Sequence, residues 1–207
     1  MALVQDYLPT SDFTDRLRIT EEYTDRASAD EARKFRLRSH TCGAFPSLSF
    51  LGLGLQIPDD VFKNPVVIPM REGAADICAI MNDMHSYNIE QSRGGVAGHN
   101  FITVIIREYG LTLQEALYWV SGHTTKIMEN YVSDQRRLPS WGETVDKAVE
   151  EYFDRVARCV RGCDQWSYES GRYYGKKGLK IQQTRKMAVY PNDITYLGNK
   201  FVQVNEA

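Results

Sequence analysis

At 207 residues the chain is long enough for one domain with a sizeable core, or one domain and a tail. With 43% hydrophobic and 25% charged residues it reads as soluble and globular, and a formal net charge of -2 argues against nucleic acid as a partner. No apolar run approaches the roughly 18 residues that cross a bilayer, which excludes membrane insertion, and residues 1–6 lack the basic and apolar regions of a signal peptide, so a cytoplasmic protein is expected.

The first candidate element is Leu8-Pro9-Thr10-Ser11-Asp12, where Ser11 or Asp12 can cap a helix. Glu21-Glu22-Tyr23-Thr24-Asp25 follows, and on a helix Glu21 and Asp25 share a face, as a solvated surface or as part of a cation site. Ser28 and Glu31 have capping-box spacing. Between Arg38 and Pro46, Gly43 and Pro46 interrupt an apolar stretch and predict a kinked or broken helix. Ile57-Pro58-Asp59-Asp60-Val61 reads as a turn into a short helix that Pro65 ends.

A long helix is expected from about Arg71 to about Arg93, stopping at Gly94-Gly95. Asn100 restarts a helix through Tyr109 that Gly110 terminates, and Thr112 with Glu115 forms a capping box for the next, which continues toward Tyr131 and closes by Pro139. From Thr144 to Arg161, Val145, Ala148, Val149, Tyr152, Val156 and Val160 recur at helical spacing, with Gly162 as the expected end. No strand alternation competes up to Tyr174, so the fold class is all-α. Residues 1–175 form the expected helical domain, and 176–207, with Lys176, Lys177, Lys180, Arg185 and Lys186, a loosely ordered extension. Of the four cysteines, Cys42, Cys78, Cys159 and Cys163, only the last two are close in sequence, and packed, reduced thiols are expected.

Two stretches carry chemistry. In the long helix Asn82, Ser86 and Glu90 fall at i, i+4 and i+8 and share one face. An amide oxygen, a hydroxyl and a carboxylate are hard ligands suited to Mg²⁺ or Mn²⁺. The small residues Ala75, Cys78 and Ala79 continue that face, so the polar triplet is expected to point inward, where buried polar groups need partners. The alternative is an ordinary solvated face. Further on, Arg172 offers a planar fork matched to phosphate oxygens and Tyr173 adds a hydroxyl, unless the pair is simply an aromatic helix end with a surface arginine.

An all-helical chain with an acidic cluster, then N-D-x-x-S-x-x-x-E, then an Arg-Tyr pair resembles the class I terpene synthases of the fungal sesquiterpene cyclase type. The stretches Pro46-Ser47, Leu53-Gly54-Leu55-Gln56-Ile57-Pro58 and Tyr87 with Gln91-Ser92-Arg93-Gly94 are also similar to fungal members. The resemblance implies a helical bundle in which two motifs on facing helices bind three Mg²⁺ ions, and the ions hold a substrate diphosphate. Residue by residue, Asn82, Ser86 and Glu90 match the metal triad, Glu21 and Asp25 the acidic motif, Arg172 and Tyr173 the diphosphate-binding pair, and Arg38 the diphosphate-sensing arginine. Phe45, Phe50 and Trp166 are candidates to line the pocket.

Two features depart from the family pattern. Glu21 stands where the acidic motif normally begins with aspartate, and only twelve residues separate Asp25 from Arg38, too few for the helices that usually lie between. A shortened, incomplete bundle is therefore expected, with joins near Thr20/Glu21 and Lys34/Phe35. The implied activity is Mg²⁺-dependent cyclisation of a prenyl diphosphate, farnesyl diphosphate foremost, by a monomer or homodimer. The alternatives are a catalytically impaired fragment that binds diphosphate or a partner, and a chain-elongating prenyltransferase, whose paired D-D-x-x-D motifs are absent from the sequence.

Overall fold

The computed structural model describes residues 54–92 and 100–190. In chain order these form α1 (Asp59–Phe62), α2 (Val67–Ser92), α3 (Phe101–Tyr109), α4 (Leu113–Gln135), α5 (Glu143–Glu169), a 3₁₀ turn (Gly175–Lys177) and α6 (Gly178–Thr184). Among the described residues there is no strand, as the periodicity predicts.

The caps form as the sequence leads one to expect. Asn100 Oδ1 accepts from the Ile102 amide at 2.9 Å to start α3, and Gly110, at φ 64°, ends it in the left-handed conformation that glycine adopts without penalty. At α4 the Glu115 carboxylate accepts from the Thr112 amide at 2.8 Å while Thr112 Oγ1 accepts from the Glu115 amide at 3.3 Å, closing the reciprocal box.

Three boundaries differ from expectation. Helix α2 begins at Val67 rather than Arg71, because Pro69 sits in its first turn, where a missing N–H forfeits no helical bond, and Asn64 accepts from the amides of Val67 and Ile68. Helix α5 runs through Gly162 to Glu169. A glycine inside a helix costs about 1 kcal/mol, whereas Val149, Tyr152, Phe153 and Val156 before it and Ser167 and Tyr168 after it are all buried on the same rod. The stretch after Gly175, expected to be loosely ordered, instead forms the 3₁₀ turn and α6 as far as Thr184. Gly178 explains this docking, because a Cβ there would overlap the Tyr168 carbonyl, so only glycine lets the returning chain approach α5 so closely. Arg93 and residues 191–207 lie outside the described residues.

Helix α2 is the central rod, with every residue from 73 to 80 buried. Along one flank Val67, Met70 and Ala74 pack with Val61 of α1, Tyr131 of α4, and Val149, Tyr152, Phe153 and Val156 of α5. Along another, Ile80 packs with Phe101, Ile102 and Ile105 of α3 and Ala116 and Val120 of α4. The Tyr131 hydroxyl donates to the Phe153 carbonyl at 3.0 Å and ties α4 to α5 through the core. Two flanks of α2 are thereby committed to packing, and the candidate site residues of this helix lie along what remains.

Candidate metal and diphosphate site

That remaining face carries Ala75 and Ala79, both 3% exposed, then Asn82, Ser86 and Glu90. The alanines keep the surface low, so the polar side chains beyond them are not screened by bulk. Asn82 donates through Nδ2 to the Tyr173 hydroxyl at 2.8 Å, across 91 residues of chain, leaving its Oδ1 as the atom available to a cation. Ser86 is buried, and among the described residues its Oγ has no hydrogen-bond partner. Glu90 accepts through Oε2 from Asn100 Nδ2 at 3.0 Å, which anchors the carboxylate and leaves Oε1.

Asn100 and Asp83 make this anchoring possible. Asn100 is almost fully buried; its Oδ1 caps α3, and its Nδ2 donates both to the Asp83 carbonyl, at 2.8 Å, and to Glu90. Asp83 Oδ2 accepts from the Phe101 amide at 2.7 Å. The start of α3 is thus bolted to α2, and the bolt holds Glu90. Neither Asp83 nor the contact between Asn100 and Glu90 was identified from sequence. The local signal showed only that Asn100 caps a helix, and nothing local reports which carboxylate its second function meets.

Arg172 is exposed, with its guanidinium carbon 5.4 Å from the centre of the Tyr173 ring. Tyr173 is 6% exposed and stands between Arg172 and Asn82, so the structure brings Asn82, Tyr173 and Arg172 together on one side of the bundle. Trp166, half exposed, meets the Tyr173 ring edge-on at 6.3 Å. Glu21, Asp25, Arg38, Phe45 and Phe50 lie outside the described residues.

The donors present suit a hard divalent cation. They are all oxygen, and the orphaned Ser86 hydroxyl is a buried acceptor that a cation would satisfy. Among the described residues no three His, Cys, Asp or Glu side chains converge on a metal position, and the described part of the candidate site offers two neutral oxygens beside one carboxylate. A groove of about 740 Å³ does open between α2, α3 and α4, walled by Glu72, Asp76, Tyr109, Trp119 and His123, but it lies on another flank of α2 and includes none of the triplet. The sequence expectation for the thiols is met in part. Cys78, Cys159 and Cys163 form no disulfide among the described residues, and a hydrogen bond between Cys78 on α2 and Cys163 on α5 brings the Cys163 thiol down to about 7. No described helix is long and apolar enough to cross a membrane.

Comparison with known proteins gives the same direction. Residues 20–130 match the family model described as terpene synthase family 2, C-terminal metal binding. A sesquiterpene synthase of Cyclocybe aegerita, Agr8, is 40% identical over 90% of this chain and 53% of its own length. A Delta(6)-protoilludene synthase of Stereum hirsutum is 36% identical over 84% of this chain and 50% of its own. A solved variant of cucumene synthase superposes with a TM-score of 0.62 at 22% identity, covering 73% of this chain and 50% of that one, and supports the all-α fold of this class. The chain spans about half the length of the curated relatives it matches. With the family model covering more than half of the sequence, the chain belongs to the terpene synthase family.

Proposed function

We propose that this chain carries the metal- and diphosphate-binding part of a sesquiterpene cyclase acting on a prenyl diphosphate, farnesyl diphosphate foremost, with Mg²⁺ as the metal and Mn²⁺ as a substitute. The observation that supports this most directly is the bond between Asn82 and Tyr173, because it links the candidate metal helix to the candidate diphosphate turn. In this reading Asn82 Oδ1, Ser86 Oγ and Glu90 hold Mg²⁺, while Glu21 and Asp25 supply further carboxylates toward the three-ion set. Arg172 and Tyr173 hydrogen-bond the diphosphate oxygens, and Arg38 serves as the diphosphate-sensing arginine. Bound there, Mg²⁺ supplies positive charge to the departing diphosphate.

The residues then perform a charge separation. The allylic C–O bond breaks, its electron pair leaves on the diphosphate, and the donors of Arg172 and Tyr173 stabilise the charge that develops. The allylic cation left behind must be kept from water, or it is quenched as an alcohol before a ring closes.

The alternative reading is a non-catalytic diphosphate-binding or interaction module. Incubation of the purified protein with farnesyl diphosphate and Mg²⁺, assaying released diphosphate and headspace hydrocarbons, separates the two. Cyclic hydrocarbon is expected from a sealed site and linear alcohols with diphosphate release from an open one. Absence of both, with retained Mg²⁺-dependent pyrophosphate binding, selects the module, and absence of that binding removes the site.

A further inference from the structure

His85 immediately precedes Ser86 on α2, yet it faces another way, toward α5 and the chain that follows it. Its side chain is buried, and both ring nitrogens are engaged. Nε2 lies 3.0 Å from Asp164 Oδ1, and Nδ1 lies 2.7 Å from the Tyr174 hydroxyl. A carboxylate only accepts, so Nε2 carries the proton and donates to Asp164. With the ring neutral, the lone pair on Nδ1 accepts from Tyr174, whose phenol burial pushes well above its ordinary value and so keeps protonated. The imidazole is also enclosed by rings: Tyr168 edge-on at 4.8 Å and Tyr173 stacked at 5.8 Å and 25°. Arg185, which caps the end of α6, closes the cluster by donating to the Tyr168 hydroxyl at 3.0 Å.

The turn that these contacts hold is short of internal support. Gly171 takes φ 73°, Arg172 is exposed, and the turn is held by Gly175 N–H to the Gly171 carbonyl at 3.1 Å and by the Arg172 amide to Ser170 Oγ at 3.3 Å. Tyr173 and Tyr174 are nonetheless buried, and His85 touches both of them.

We propose that His85 is a positioning residue: its bonds to Asp164 and Tyr174 clamp the 171–174 turn against α2, so that the Tyr173 hydroxyl meets Asn82 and Arg172 stands over the same site. It acts through those residues and touches no substrate. The proposal rests on the reading of Arg172 and Tyr173 as diphosphate ligands. An unclamped turn would have to be ordered by the ligand itself, and affinity would fall by that cost.

The test is calorimetric titration of the full chain with pyrophosphate in Mg²⁺, beside thermal melts of every variant. Tyr174→Phe, which removes one oxygen, and His85→Leu are expected to weaken binding about tenfold or more. His85→Gln, which can still donate to Asp164 and accept from Tyr174, is expected to recover most of the affinity. Unchanged affinity in Tyr174→Phe and His85→Leu, with binding lost in Arg172→Ala, overturns the clamp and leaves the site reading intact. Should the wild type bind no Mg²⁺-pyrophosphate, the site reading fails, and the side-chain amide resonances of Asn82 decide the clamp alone. A shift in Tyr174→Phe supports it, and unmoved resonances overturn it.

Discussion

Serines inside helices commonly spend their hydroxyl on a carbonyl one turn back, as Ser167 does on Cys163 at 2.8 Å, and Ser86 does not. A hydroxyl buried without a partner costs stability, so its retention points to a ligand. Ser86→Ala is therefore expected to leave the thermal midpoint unchanged or slightly raised while weakening Mg²⁺-dependent pyrophosphate binding at least about tenfold; melts and titrations on the same preparation check this, and a lowered midpoint with intact binding would assign Ser86 to packing. Asp164 makes a different prediction. The hydrogen bond to His85 holds its carboxyl below the usual range, so the folded state releases the proton more readily than the unfolded chain. The stability it contributes is present above the ordinary carboxylate pKa near ~4 and is lost as pH falls through the lowered folded value. Urea midpoints measured downward from pH 5 should fall more steeply for wild type than for Asp164→Asn.

At the scale of elements, α2 and α5 share more than an apolar seam. Their thiols meet, and the hydrogen bond with Cys78 lowers the Cys163 thiol to about 7. Alkylation by iodoacetamide, followed by peptide mass spectrometry, should show Cys163 reacting with a midpoint near that value, and Cys78→Ala should move the midpoint upward. The end of α2 also holds the chain beyond α6. Asn88 donates to the Ala188 carbonyl at 2.9 Å and accepts from the Tyr190 amide at 2.8 Å, and Gln91 donates to the Tyr190 carbonyl at 2.8 Å. A side-chain amide that pairs with backbone on both its atoms imitates a strand edge. Asn88→Ala should expose the bond after Lys186 and speed limited tryptic cleavage there several-fold, with the helical core intact; equal cleavage rates would mean these bonds do not restrain the segment.

For the whole molecule, ligand linkage offers a test independent of turnover. A ligand that binds only the folded chain stabilises it, by about 2.7 kcal/mol at a hundredfold excess over its dissociation constant. Mg²⁺ and pyrophosphate together should raise the thermal midpoint by several degrees, either alone by much less, and a chelator should abolish the gain. An unchanged midpoint at millimolar ligand would count against a preformed site. The groove of about 740 Å³ between α2, α3 and α4 holds none of the candidate metal donors in its walls.

The sequence by itself determined what is settled within a turn or two of chain. The caps at Asn100, Thr112 and Gly110, the single face shared by Asn82, Ser86 and Glu90, and the absence of strand alternation all follow from local stereochemistry and period. Tertiary structure alone decided that Asn82 meets Tyr173, that Asn100 holds Glu90, that His85 joins Asp164 to Tyr174, that α5 continues past Gly162, and that the basic stretch after Gly175 folds back as α6. Those outcomes depend on partners up to 91 residues apart, brought into reach only when the flanks of α2 pack, and a hydrogen bond across such a distance leaves no spacing in the chain from which to read it.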